Sequence, residues 1–348
     1  MVCMAYLYSL PITHCVDDAI CIERAGTIDS GRKGWMTLTK LCGWLISQEK
    51  SPAPSAKINI IGVCLDLMST PHGEPMVYVT LARLQSLDKL LLQILMQGRL
   101  ASGQAASLSG KLGFTITGTF GKVGRAKIRP ILRRAYSSYR QLTVQLQCCL
   151  IWWRRFLRSY EPRPVPMSLH DLPTVISYSD GEGKGAGVGV AVWCPWLEHP
   201  VAAYVKVPQE IREMWAVLAA KKDYKDIFLI EAIGPLIILD TFPRLMRDAL
   251  WIHFIDNSGS EASLVGGSSS IDAGDHIVGM TWERISKRRL WPFFDRVESS
   301  ANPVDKLSRG ISKGPWRRVI EASFPTSELM NLAEECRSTK VHEIVSQN

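Results

Sequence analysis

Apolar positions along this chain follow three different rhythms. Up to about residue 68 they come in short runs. ITHCVDDAICI is a pair of apolar runs broken by Asp17-Asp18, which predicts a β-turn-β hairpin, and KINIIGVCLDL reads as a buried strand. Ser30 to Leu45, between them, predicts a helix. From residue 80 to 160 the apolar positions recur at helical spacing, as in TLARLQSLDKLLLQILMQGRL, where Gly98 stops the helix; further helices follow through Leu157. The proline-rich EPRPVPMSLHDLP, Glu161 to Pro173, reads as a linker. Beyond it TVISYSD, GVGVAVW and HPVAAYVKV are strand-like, and Gln209 to Phe242 is mostly helical. DALWIHFIDN is a fourth strand, SEASLV a short helix and LWPFFDRVES a fifth strand, while VDKLSRG opens a last helix. The expected fold is α/β, a mixed five-stranded sheet with flanking helices. A short helical extension is expected after Gly314.

Composition adds bounds. At 348 residues and 46% apolar, the chain can build two or three domains with real cores. Its nine cysteines lie scattered in apolar runs without zinc-like pairing, as reduced core residues of an intracellular protein do. The first residues lack a basic n-region and are cut by Pro11, so no signal peptide is expected. The apolar stretch Ile227 to Leu239 holds Glu231 and Pro235, so no membrane span is expected and the protein reads as soluble.

The formal charge of +8 is concentrated. Eleven basic residues stand between Lys122 and Arg163 against one acid, Glu161. Arg125, Lys127, Arg129, Arg133, Arg134, Arg154 and Arg155 are the candidates for backbone contacts with nucleic acid, with Tyr136, Tyr139, Trp152, Trp153 and Phe156 interleaved. A solvated basic face is the plainer reading. H-E-x-x-H and G-x-S-x-G are absent, and Gly121-Lys122 is followed by Val123 rather than the hydroxyl of a P-loop.

Four acids carry the candidate chemistry. Asp180 ends an apolar strand, although Asp-Gly also suits a plain turn. Glu231 lies in an apolar helical stretch, where a carboxylate is costly unless paired or metal-bound; a place on the helix's polar edge is the alternative, and Glu213 is its rival. Asp256 follows LWIHFI at a strand's carboxyl end, or belongs to an Asp-Asn turn. Asp305 follows an Asn-Pro turn at a helix start, where it also suits the helix dipole. Gly181, Gly183 and Ala186 fit G-x-G-x-x-A, but a strand follows instead of a helix, so a dinucleotide site is rejected.

YSDGEGKGAGVGV, IEAIGPLIIL, FIDNSGSEASLVGGSS and RVESSANPVDKLSRG, in this order, resemble the ribonuclease H domain of retroelement polyproteins, in the variety found in tyrosine-recombinase retrotransposons. Upstream, CVDDAICI is similar to the catalytic hairpin of a reverse-transcriptase palm, LTKLCGWLISQEKS to the element after it, and INIIGVCLDL to the next palm strand. The resemblance implies a palm remnant over 1–79, thumb and connection helices over 80–160, a linker over 161–173, a ribonuclease-H-like domain over 174–312 and a tail over 313–348. It further implies that Asp180, Glu231, Asp256 and Asp305 hold two Mg²⁺ ions (with Mn²⁺ as a substitute) and hydrolyse the RNA strand of an RNA–DNA hybrid, recognised through its 2′-hydroxyls. Arg309 would touch a phosphate, and His276 would be a loop histidine assisting product release, unless it is an ordinary surface histidine.

The palm departs from the family pattern. The stretch before Val16 is too short for the aspartate strand and the fingers, so Asp17 and Asp18 read as a vestigial polymerase hairpin and no polymerase activity is expected. The alternatives are a non-catalytic nucleic-acid-binding relic of a retroelement, or a polymerase subunit that borrows its missing strand from another chain.

Overall fold

The computed structural model describes residues 12–15, 18–47, 49, 51–60, 62–68, 73–119, 121–219 and 226–337. The chain divides into two compact units, residues 1–58 and 59–348. The first contains β1 (Ile12–Cys15), β2 (Asp18–Cys21) and α1 (Ile28–Leu41). β1 and β2 pair antiparallel with Cys15 opposite Asp18, so the predicted hairpin forms. Asp17 and the side chain of Asp18 lie outside the described residues, and with them the polymerase reading of that hairpin. In α1, Gly31 leaves room for Glu23, whose Cγ would lie 3.2 Å from an added Cβ.

β3 (Lys57–Ile60) crosses the boundary, and β4 (Val63–Asp66) follows. The single strand expected for KINIIGVCLDL is thus two, separated at Gly62, whose φ of +82° is a conformation other residues rarely adopt. β5 (Met76–Val79) pairs antiparallel with β4 and with β6 (Arg163–Pro164). The proline-rich segment is therefore no free linker.

Four helices follow: α2 (Leu81–Gln97), α3 (Ser102–Thr117), α4 (Arg125–Ala135) and α5 (Val144–Arg158). Their apolar stripes meet in one cluster in which Leu91, Leu100, Leu112, Ile131, Leu150 and Trp153 are fully buried. Burial of such side chains stabilises by roughly 2 kcal/mol each. Gly98, at φ +63°, ends α2 as its position in the pattern predicts.

The larger sheet is built from β7 (Thr174–Glu182), β8 (Gly187–Trp193), β9 (Val201–Lys206), β10 (Leu250–Ile255), β11 (Trp291–Arg296) and β12 (Val319–Glu321). The strand order is β11-β10-β7-β8-β9-β12. β7, β8 and β9 form an antiparallel meander; β10 and β11 extend it in parallel on the β7 side, and β12 joins β9 in parallel. Six strands replace the expected five, because the segment past Gly314 supplies β12. It also supplies α12 (Thr326–Arg337), which buries Leu329 in the main core. α6 (Gln209–Ala219), α7 (Ile227–Ala232), α8 (Gly234–Thr241), α9 (Ser258–Gly266) and α10 (Asp272–Lys287) complete the α/β layers, with α11 (Asp305–Ser308) near the end. Among the described residues no helix is long and apolar enough to cross a membrane.

The helical layer and the sheet belong to one unit. Arg129 Nε lies 3.2 Å from the Asp275 carboxylate, and Arg133 pairs with Asp272. Trp152 Nε1 donates to Glu283 at 2.9 Å, and Arg125 donates to the Gly266 carbonyl at 3.0 Å.

Candidate functional site

β8 reads GVGVAVW and is buried along nearly all its length, because both faces of the sheet are covered. Its valines enter the main core, while Ala191 packs on the other side with Val304, Leu307 and Trp316. Gly187 and Gly189 make room for α11. A Cβ on Gly187 would stand 2.0 Å from the Ser308 carbonyl oxygen, and one on Gly189 2.7 Å from the Ser308 nitrogen. These are backbone atoms, which cannot swing aside. Asp180 is paired directly with Gly189, so both project to the face that carries α11 and its first residue, Asp305. Asn302 fixes the approach: its Nδ2 donates to the Ser179 carbonyl at 3.1 Å, and its Oδ1 accepts from Val304 N at 3.3 Å.

Asp256 arrives by register. Tyr178 is paired with Phe254 in the parallel β7–β10 ladder, their rings stacked with centroids 5.0 Å apart. Two residues on, both strands carry an aspartate, Asp180 and Asp256. Glu231 comes from the opposite face, where α7 lies close against β7. A Cβ on Gly181 would come within 2.9 Å of Glu231 Cγ and 3.0 Å of its nitrogen, so only glycine admits this approach. Gly234 makes the same kind of contact with Ser179, at 2.4 Å from that side chain's Cβ.

The charges of this cluster are poorly satisfied. Asp180 and Glu231 are buried. Burial, then the neighbouring Asp256 and Asp305, push the Asp180 carboxyl up to about 7. Burial, then Asp256 and Asp180, push Glu231 up to about 8. A hydrogen bond from the Ser308 hydroxyl opposes the rise at Asp180 only in part. Glu231 Oε2 and Asp256 Oδ1 are buried with no hydrogen-bond partner among the described residues, while Asp256 Oδ2 accepts from Ser299 at 2.8 Å. An orphaned buried oxygen costs about 1–3 kcal/mol, more when charged. Asp305 is turned toward Arg309, whose Nη2 donates to Oδ1 at 2.6 Å.

The structure therefore groups Asp180, Glu231 and Asp256, with Asp305 beside Asp180. Among the described residues no three acid, His or Cys side chains stand in a finished cation cage. The donor set is nevertheless what a hard cation takes: carboxylate oxygens only, two of them buried without a partner. Glu213, the rival of Glu231, is exposed on α6 and accepts from Gln209 at 3.1 Å.

Between the strands lies a residue that sequence reasoning missed. His253 is fully buried, its Nδ1 2.8 Å from Ser177 Oγ and its Nε2 3.1 Å from Ser179 Oγ. Trp251 Nε1 donates to the same Ser177 oxygen at 2.7 Å. Ser177 can then pass its own proton toward Nδ1, leaving Nε2–H to donate to Ser179. Burial drives the His253 pKa down to about 3, so the ring is neutral. The signal was present: a polar residue at an inward position of LWIHFI, opposite two inward serines of TVISYSD.

The segment G-x-G-x-x-A is a hairpin turn. Glu182 accepts from Lys184 N at 2.8 Å and from Gly185 N, and Ala186 sits at φ +52°. Strand, turn, strand is the arrangement that argued against a dinucleotide.

The basic candidates divide. Arg134 and Arg154 are buried and face inward, which corrects their assignment to a nucleic-acid surface. Arg134 donates to the carbonyls of Tyr139 and Gln141, and Arg154 pairs with Asp88 at 2.9 Å. Arg129 and Arg133 tie α4 to α10 through Asp275 and Asp272. Arg125, Lys127, Arg155 and Arg309 keep solvent access, with Lys127 6.0 Å from the Trp152 ring centre. Arg309 meets Asp305 rather than standing free for a phosphate. His276 is not on a loop; it lies within α10, near Asp272. No protein-family model matches this chain, and no curated protein matches it.

Proposed function

We propose that this chain is a metal-dependent nuclease acting at Asp180, Glu231, Asp256 and Asp305, with the RNA strand of an RNA–DNA hybrid as its substrate. The observation that carries the reading is the meeting of two buried carboxylates with raised pKa values, Asp180 on β7 and Glu231 on α7, with half-buried Asp256 just after β10, orphaned oxygens among them. Clusters of this kind mark functional sites more often than structural ones. The element order, with Asp180 near the end of β7 rather than at it and Asp256 just after β10, supports the resemblance in YSDGEGKGAGVGV and FIDNSGSEASLV.

Asp180, between Asp256 and Asp305, is placed to share the hard cations that Glu231, Asp256 and Asp305 would hold with it. Bound there, Mg²⁺ supplies an activated water and charge for the departing 3′ oxygen. The chain's own part is to gather the acids and keep them still. The Trp251–Ser177–His253–Ser179 network locks β7 to β10 immediately before the two aspartates. Gly181, Gly187 and Gly189 let α7 and α11 press against the strands. Exposed Arg125 and Arg155 are available to a phosphate backbone.

The test is cleavage of a hybrid labelled on its RNA strand, in millimolar Mg²⁺ or Mn²⁺. Cleavage that disappears in Asp180→Asn supports the reading; an intact hybrid under both cations sinks it. A second reading, a nucleic-acid binder without catalysis, is favoured by the Arg309–Asp305 pair, which keeps one acid occupied. Hybrid binding without cleavage would select it. Incorporation on a primed homopolymer template would overturn the expectation that polymerase activity is lost.

A further inference from the structure

A second site lies away from the acids. Where the helical layer meets the sheet, α5, the 159–165 segment, the end of α10 and the start of β11 enclose a cavity of about 940 Å³. It opens beside the first residues of β11, whereas Asp180 lies near the carboxyl end of β7 and Asp256 just past that of β10. Six residues of strand, at roughly 3.3 Å each, separate the two ends.

Its walls are aromatic and fixed. Trp152 and Phe156 are stacked at 5.1 Å and 7°, and Trp152 is held in plane by its bond to Glu283. Trp282 and Trp291 face the same space. The Arg163 guanidinium lies 4.9 Å from the Trp291 ring centre and donates to the Leu290 carbonyl at 3.3 Å.

Charge in the lining is unbalanced. Arg155, Arg163, Arg247, Lys287 and Arg289 stand against Glu161 and Glu283. Arg247 and Arg289 share one carboxylate, Asp248. Arg155 and Lys287 have no ion pair among the described residues. Burial, and repulsion by Arg289, bring the Arg163 pKa down to about 10.

We propose that this cavity is a binding site for a nucleotide, its base against the aromatic wall and its phosphate on Arg155 and Lys287. Volume, aromatic planes and surplus positive charge agree on that class. Small-ligand pockets run from about 300 to 1,000 Å³. A base stacks on aromatic rings without regard to sequence, and guanidinium groups take phosphate in charge-assisted hydrogen bonds. A duplex does not enter a recess of this size. No cluster acid lines the site, so it does not rest on the nuclease chemistry, although Arg155 is shared with the backbone contacts proposed above.

Tryptophan fluorescence of the full chain tests it. AMP is expected to quench saturably, with adenosine and inorganic phosphate each about tenfold weaker, since each keeps one half of the interaction. The double variant R155E/K287E, with circular dichroism unchanged, should lose at least about tenfold in AMP affinity, and D180N should bind AMP as the parent does. Should the double variant fail to fold, AMP must instead protect Lys287 of the parent from acetylation, read by mass spectrometry. A 5′-phosphorylated oligothymidylate that displaces AMP and binds more tightly identifies a strand terminus as the source; weaker binding identifies the free nucleotide. No saturable quenching, equal affinity in the folded double variant, or no protection of Lys287 overturns the proposal.

Discussion

Two regions of this protein concentrate charge, and they treat it in opposite ways. In the helical segment from Lys122 to Arg163 most cations have partners inside the fold: Arg129 with Asp275, Arg133 with Asp272, Arg154 and Arg158 with Asp88, Arg134 with two carbonyls. At the rim of the sheet, Asp180, Glu231 and Asp256 repel one another, and two of their oxygens have no partner among the described residues. Charge density alone does not mark a working site. The satisfied region holds the fold together, and the unsatisfied one is where we propose that a cation binds.

The largest expected effect concerns catalysis. Asp180→Asn should lower hybrid cleavage by about a thousandfold or more, as the loss of a shared metal ligand does, measured by gel on labelled RNA. Gly187→Ala should come close behind. Its Cβ meets the Ser308 backbone oxygen, so α11 and Asp305 must shift while the sheet remains. Cleavage by that variant at the parent's rate would show that Asp305 is not needed.

Arg154→Ala sharpens the other half of the comparison. Breaking its part-buried pair with Asp88 should cost about 2 kcal/mol in urea unfolding, the worth of a charged hydrogen bond, because Asp88 keeps only Arg158 of its two guanidinium partners. Arg133→Ala, whose guanidinium is about half exposed, should cost no more than about 1 kcal/mol. Equal losses would mean that burial does not separate these arginines.

Acidity gives a subtler effect. Without a cation the folded chain holds extra protons, because Asp180 titrates at about 7 and Glu231 at about 8. Both lie above their unfolded value of about 4. Their contribution to stability is whole below that value and is lost as pH rises through 7 and 8. The melting temperature of the metal-free chain should therefore fall between pH 6 and 8.5. Asp180→Asn should reduce the slope, and millimolar Mg²⁺ should restore the loss at the alkaline end. The smallest expected effect is at Arg309: its removal frees Asp305 and should lower the Mg²⁺ needed for half-maximal cleavage by about twofold to fivefold, an exposed pair being weak.

Much of the sheet was legible because strand signals are local. TVISYSD, GVGVAVW and LWIHFID carry their own alternation and end on the acids. What was not legible depends on distant partners. The acids that meet Arg154, Arg129 and Arg133 lie 66 to 146 positions away in sequence, so a run such as RAKIRPILRRA looks like an open basic face. α10 escaped because DAGDHIVGMTWERISK mixes glycine and charge into its stripe, although Ile277, Val278, Trp282 and Ile285 are buried. β12 has three residues and is a strand only because β9 offers an edge. His253 was passed over as one polar letter in an apolar run, yet its two serine partners were already in view three strands earlier.

The most direct test of the account is divalent-ion binding by the cluster itself. Mn²⁺ titration followed by electron paramagnetic resonance should show ions held by the parent chain at pH 8, weaker holding at pH 6, and little in a folded Asp180→Asn/Asp256→Asn variant. Mn²⁺ bound equally by parent and variant would contradict it.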